Sequence, residues 1–155
     1  MNKTIKTLIF CGIVSIITSP AFAAGGKAFQ LSLAPGIAIH DRNQKIEGLT
    51  LSFWGENPQT SLALGIINGT AANSGGFSLG FVNYGDTYTG VQLGFINTDH
   101  KLHGFQLGFL NFAENTNTGF QFGIINIIKS NKSWFNNFPN EIAPFMLFIN
   151  WRLAK

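Results

Sequence analysis

An eight-residue motif returns every 14 or 15 residues along this chain, and that period limits the fold more than any other feature. Gly76-Phe77-Ser78-Leu79-Gly80-Phe81-Val82-Asn83 recurs at Gly90–Asn97, Gly104–Asn111 and Gly119–Asn126. Ser61–Asn68 lacks only the leading glycine, and Gly48-Leu49-Thr50-Leu51-Ser52-Phe53 is a degenerate further copy, so the repeats occupy about 48–126. A short fixed period means that one small unit, unable to bury its own face, is stabilised by lying against its neighbours.

Inside each copy the apolar residues fall two apart: Phe77/Leu79/Phe81, Val91/Leu93/Phe95, Phe105/Leu107/Phe109 and Phe120/Phe122/Ile124. Period two predicts strands with these side chains on one face. Ser78, Gln92, Gln106 and Gln121 then share the other face, between glycines, and turn-forming residues separate the copies. The alternation continues at Phe29/Leu31/Leu33 and at Phe145/Leu147/Ile149/Trp151/Leu153. Strands are predicted over roughly 28–40, 46–54, 60–68, 76–84, 90–98, 104–113, 119–128 and 143–153, leaving 129–142 as the longest connection.

These strands form a single all-β domain over 24–155. The preferred arrangement is an eight-stranded antiparallel up-and-down barrel of the outer-membrane type, apolar side to the lipid and closed so that no edge is left unpaired. Such strands need about 9–11 residues, which fits the period. Trp54, Tyr84, Tyr88, Phe112, Trp134 and Trp151 lie near strand ends, where interfacial aromatics belong. The alternative is a β-solenoid of 14–15-residue coils, in which Asn68, Asn83, Asn97, Asn111 and Asn126 would stack as a ladder. Neither end of the chain shows an obvious polar cap for a solenoid. A soluble sandwich is the third arrangement. In a barrel, Ile67, Val82, Ile96, Leu110 and Ile125 fall on the inner side, as core filler or as residues re-aimed by a bulge at the preceding glycine.

Residues 1–23 have the form of a cleaved signal peptide: lysines at 3 and 6, an apolar run Leu8–Ile17 and an Ala21-Phe22-Ala23 end. Removing them takes away Cys11 and two of the 10 basic residues, leaving 8 bases against 7 acids, a net charge of +1. That balance argues against a nucleic-acid partner, and a thiol-free mature chain suits an oxidising envelope. The expected place is the outer membrane or cell surface of a bacterium.

The tandem Gly-Φ-x-Φ-Gly-Φ-Φ-Asn copies (Φ apolar) over about 48–153, with the Phe148-Ile149-Asn150-Trp151 close, resemble a poorly characterised bacterial surface-repeat family. The resemblance implies a secreted or outer-membrane location and carries over no activity, ligand or catalytic residue.

Only 11% of the residues are charged, against roughly 25% in ordinary soluble domains, so the usual materials of an active site are scarce. Gly76-Phe77-Ser78-Leu79-Gly80 matches a hydrolase nucleophile pattern, but that motif needs a strand, a strained turn and a helix, and Ser78 is in mid-strand. Asp99, His100 and His103 share one turn and His40-Asp41 another, too few ligands for zinc. Catalytic residues, metal ligands and cofactors are therefore not expected. A rim enzyme acting on lipids is the least favoured reading, after a structural or surface-interaction barrel and a secreted or surface-attached solenoid binding a partner. Two sets of site residues are expected: a polar network in the lumen from Gln92, Gln106, Gln121, Asn150 and Arg152, and an interaction loop carrying Trp134, Phe135 and Phe138. The partners expected are outer-membrane lipid and an unidentified surface partner.

Overall fold

The computed structural model describes residues 25–154; the predicted signal peptide, with Cys11, lies outside them. All regular structure among these residues is β: β1 (Lys27–Ala34), β2 (Ile37–Ala38), β3 (Ile46–Gly55), β4 (Thr60–Leu79), β5 (Val82–Leu93), β6 (Ile96–Leu107), β7 (Leu110–Ile128) and β8 (Phe145–Arg152). They form one sheet in the order β2-β1-β3-β4-β5-β6-β7-β8.

The pairing from β1 through β3, β4, β5 and β6 to β7 is parallel, and only β2 and β8 run antiparallel to their neighbours. The expected antiparallel barrel is thereby corrected: the chain is a β-solenoid, the alternative arrangement. Equivalent residues of successive copies sit side by side, Asn83 with Asn97 and Asn111, Gln92 with Gln106, Gly90 with Gly104. An antiparallel meander would have brought the start of each motif beside the end of the next. Only the parallel register stacks like on like.

Four of the five motif asparagines use that register twice, and Asn126 ends the row by donating to the Gly123 carbonyl at 2.8 Å. Asn97 Nδ2 donates to Asn111 Oδ1 at 2.8 Å and to the Leu107 carbonyl at 3.0 Å. Asn83 does the same to Asn97 Oδ1 at 2.8 Å and the Leu93 carbonyl at 2.9 Å, and Asn68 and Asn111 repeat the pattern. The accepting carbonyls lie just before a corner, and those of Leu93, Leu107 and Phe122 also accept from the backbone N–H of Gly80, Gly94 and Gly108, so the amide is a second donor to each buried acceptor. At the corners stand Gly80, Gly94, Gly108 and Gly123. In all four, a Cβ would lie 2.6 Å from the Nδ2 of an asparagine in the ladder. Glycine is required here because the amide occupies the side-chain space.

The corner also changes the phase of the alternation. After inward Gly94, both Phe95 and Ile96 point out before Asn97 turns in again. Ile67, Val82, Ile96, Leu110 and Ile125 are therefore partly exposed on the outer side of the next stretch, not on an inner one. A second bend follows at the leading glycine of the motif, where Gly76, Gly90 and Gly104 have φ of 101°, 142° and 139°. Because a motif spans a corner, strands cross the predicted boundaries, and β4 runs through two predicted strands in 20 residues.

Both ends are capped by polar side chains, which the sequence had not revealed. At the start, Gln30 Nε2 donates to Asn57 Oδ1 (2.8 Å) and the His40 carbonyl (2.9 Å), while Asn57 Nδ2 donates to the carbonyls of Asp41 and Gln44. At the far end, β8 folds back on β7, and Asn131 Nδ2 donates to the carbonyls of Ala143 (3.0 Å) and Trp151 (3.1 Å).

Replacing Asn97 by alanine would take one of two bonds from Asn83 Nδ2 and from the buried Leu107 carbonyl and would leave Asn111 Oδ1 without its donor. The expected loss is about 2–4 kcal/mol of unfolding free energy, read by urea denaturation. Asn115→Ala, at an exposed position, should stay within about 0.5 kcal/mol of the parent.

Candidate functional site

The side chains that alternate with the inward amides line up as rows along the outside of the sheet. One row runs Phe29, Leu49, Leu62, Phe77, Val91, Phe105, Phe120, Trp151, and the next runs Leu31, Leu51, Leu64, Leu79, Leu93, Leu107, Phe122, Ile149. At the corner, Phe81, Phe95 and Phe109 stack with ring centroids 5.1 and 4.9 Å apart, and Phe105 stacks on Phe122 at 5.0 Å. No position in these rows is charged. The only polar atom is the Trp151 indole nitrogen, which donates to the Pro139 carbonyl at 2.8 Å.

This face is open. Leu79, Phe81, Phe95, Leu107, Phe109 and Leu147 are each between 44% and 57% exposed, although Gln92, Gln106 and Gln121 behind them are buried. At about 4.8 Å per strand, eight levels give a patch roughly 34 Å long. Soluble monomers seldom expose contiguous apolar patches larger than a few hundred Å², and larger ones mark interaction sites. The opposite outer surface, with Asp86, His100, Lys101, Asn115, Asn117 and Thr118, is polar.

Inside, Gln121 Nε2 donates to Gln106 Oε1 at 2.8 Å and Gln106 Nε2 to Gln92 Oε1 at 3.1 Å. The column ends on Asp99, whose two carboxylate oxygens accept from Gln92 (3.1 Å) and Gln106 (3.0 Å). Burial pushes the Asp99 carboxyl up from 3.8 to about 7, the two amide donors offsetting part of that rise. Burial likewise raises the neighbouring Tyr88 phenol, helped by the Asp99 charge. The sequence had placed Asp99 in a turn with two histidines; alternation carried two residues past inward Asn97 would have turned it inward.

The five residues expected to form one lumen network separate into two groups, and with no barrel there is no lumen. Gln92, Gln106 and Gln121 fill the inside of the coils. Asn150 is buried opposite Gln121 in the β7–β8 pair and donates to the Ala143 carbonyl at 2.9 Å. Arg152 belongs to the end cap: it pairs with Glu141 and donates to the Ser130 carbonyl (2.7 Å) and Asn131 Oδ1 (3.3 Å). Although burial opposes it, the Lys132 backbone N–H and Arg152 hold the Glu141 carboxyl below its ordinary value. Asn131 and Glu141, the centre of this cap, were missed because nothing local marks them; their partners lie in β8 or across the cap. A cavity of about 640 Å³ opens beside them, lined by Asn117, Lys132, Ser133, Asn140, Glu141 and Arg152 among others.

Trp134, Phe135 and Phe138 are exposed on the cap loop, and Phe138 leans on Trp151 with centroids 6.0 Å apart. Ser78 is buried and donates to Asn83 Oδ1 at 2.8 Å, in the place its sister glutamines occupy. His100 pairs with Glu114 on the polar side. Among the described residues, no three His, Cys, Asp or Glu side chains gather as a metal site would need. Comparison with protein-family models, with curated proteins and with solved structures finds no match.

The raised Asp99 carboxyl makes stability depend on pH in a definite direction. Between about 4 and 7 the folded chain holds a proton that the unfolded chain has released, so stability is greatest at the acid end and falls as pH rises through this window. Asp99→Asn should remove the slope and raise stability at pH 8 by a few kcal/mol, at most about 4. Thermal melts of both proteins from pH 4.5 to 8 check this.

Proposed function

We propose that this chain is an exported, surface-attached β-solenoid, a non-catalytic binding module that works through its uncharged sheet face. The observation that carries the reading is the partition of side chains. Amides and a carboxylate that could have faced water are buried, and the leucines and phenylalanines that could have formed a core are outside. Hydrophobic burial near 25 cal/mol per Å² is withheld from folding and left for whatever covers the face. The leader-like first 23 residues, the low charge and the resemblance of the repeats to bacterial surface proteins support export to the cell envelope.

Two measurements test the proposal. The mature protein should begin at Ala24, read as its intact mass. In fractionated cells the parent chain should sediment with the envelope, and a Leu93→Lys/Leu107→Lys variant should be released, each substitution costing about 1.5–3 kcal/mol of burial. Lys101→Glu, on the polar side, should leave attachment unchanged. An intact leader on the exported chain, or a folded double-lysine variant as firmly attached as the parent, would overturn the proposal.

A further inference from the structure

Resting on that reading, we infer that the sheet face is covered by the acyl layer of a lipid leaflet, on which the solenoid lies sideways with its axis along the membrane. The rows present no hydrogen-bonding group to a partner, since their backbone N–H and C=O groups are engaged in the ladder and the Trp151 indole is bonded to Pro139. A protein interface takes roughly one hydrogen bond per 100–200 Å², and its register comes from those bonds. Acyl chains need neither. The shape agrees: apolar residues continue round the corner, with Phe95 followed by Ile96 and Phe109 by Leu110, so the surface is a convex ridge. A second flat sheet would meet such a ridge along a line, whereas fluid chains close around it.

The rest of the surface limits how deep it goes. The polar side of every coil stays in water, which gives one-sided immersion of the kind shown by interfacial amphipathic elements. Where the apolar surface ends beyond the corner, Trp54 donates to the Tyr84 hydroxyl at 3.0 Å, and Tyr84 in turn reaches Glu56. Indole and phenol prefer the boundary between acyl chains and water, and here they stand on it. On the same border the Lys129 ammonium lies 5.8 Å from the Phe112 ring centre and 3.5 Å from Glu114 Oε1, so the cation here is balanced by a carboxylate at the edge of the apolar surface.

Because the face carries no charge, binding should be insensitive to salt and to lipid charge. The probe is flotation of the purified protein with neutral phosphatidylcholine vesicles, in 0.05 and 1 M salt (about 14 and 3 Å screening lengths). The protein should float equally in both, and brominated acyl chains should quench its tryptophan fluorescence. Leu93→Lys/Leu107→Lys should bind at least about tenfold more weakly while Thr89→Lys, on another side, binds as the parent does, with unchanged circular dichroism in each. Flotation only with anionic vesicles at low salt, or equal binding by the double variant, would overturn the lipid assignment. A protein that ignores vesicles and sediments as a dimer, dissociated by the same two lysines, would overturn it too but leave the docking face standing. A monomer that ignores vesicles would sink both.

Discussion

The fold depends on one arrangement: an asparagine amide lying against a glycine at the corners of four successive coils. The amide supplies two donated hydrogen bonds, one to the next asparagine and one to the carbonyl before the corner, and the glycine leaves the room it needs. A β-branched or even an alanine residue at Gly94 would displace the amide, and an apolar residue at Asn97 would take one of two donors from the Leu107 carbonyl and the donor from Asn111 Oδ1. Glycine and asparagine therefore recur together at fixed spacing, and the spacing sets the length of the coil. The parallel register follows, because only a coil stacked on its own kind brings amide to amide.

Filling the inside of narrow coils with hydrogen-bonded side chains has an energetic consequence. The fully buried apolar residues among those described are few, among them Ile46, Leu102, Ala113 and Ile128, and the buried Tyr88 neighbours Asp99 at the end of the glutamine column. Order in the interior comes from polar groups bonded to one another, with Gln121 Oε1 at the end of the column left without a partner among the described residues, and they specify a unique register at modest net gain. Asp99 belongs to that interior: its carboxylate ends the glutamine column, and the coil tolerates it because two amides face it and because its proton can stay on. The large hydrophobic surface is left to association. In ordinary globular domains folding consumes that surface; here folding assembles it, row by row, into a continuous face that no single repeat could present.

Much of this was legible in the residues. Alternation placed Phe77, Leu79, Phe81 and their counterparts on one side and Gln92, Gln106 and Gln121 on the other, and the recurring asparagines marked a ladder. Other features were hidden for physical reasons. The phase change at Gly94-Phe95-Ile96 looks like an error in a period-two pattern unless the chain is known to turn there. The caps depend on contacts across many residues, such as Gln30 with Asn57 and Arg152 with Glu141, and nothing near either partner announces the other. Strand limits were misjudged for the same reason as the corner: β4 and β7 pass through bends without breaking their ladders.

The sequence by itself determined the class of structure, the repeat length and which side chains share a side, because a two-residue alternation and a 14–15-residue period are local properties of the backbone. It left open whether successive strands run the same way or opposite ways, since both arrangements put identical residues on the same side. Tertiary structure decided that question through the asparagine amides, whose bonds form only between equivalent positions stacked one strand apart. With that choice a closed cylinder became an open stack, and the apolar side became one convex face backed by a polar one.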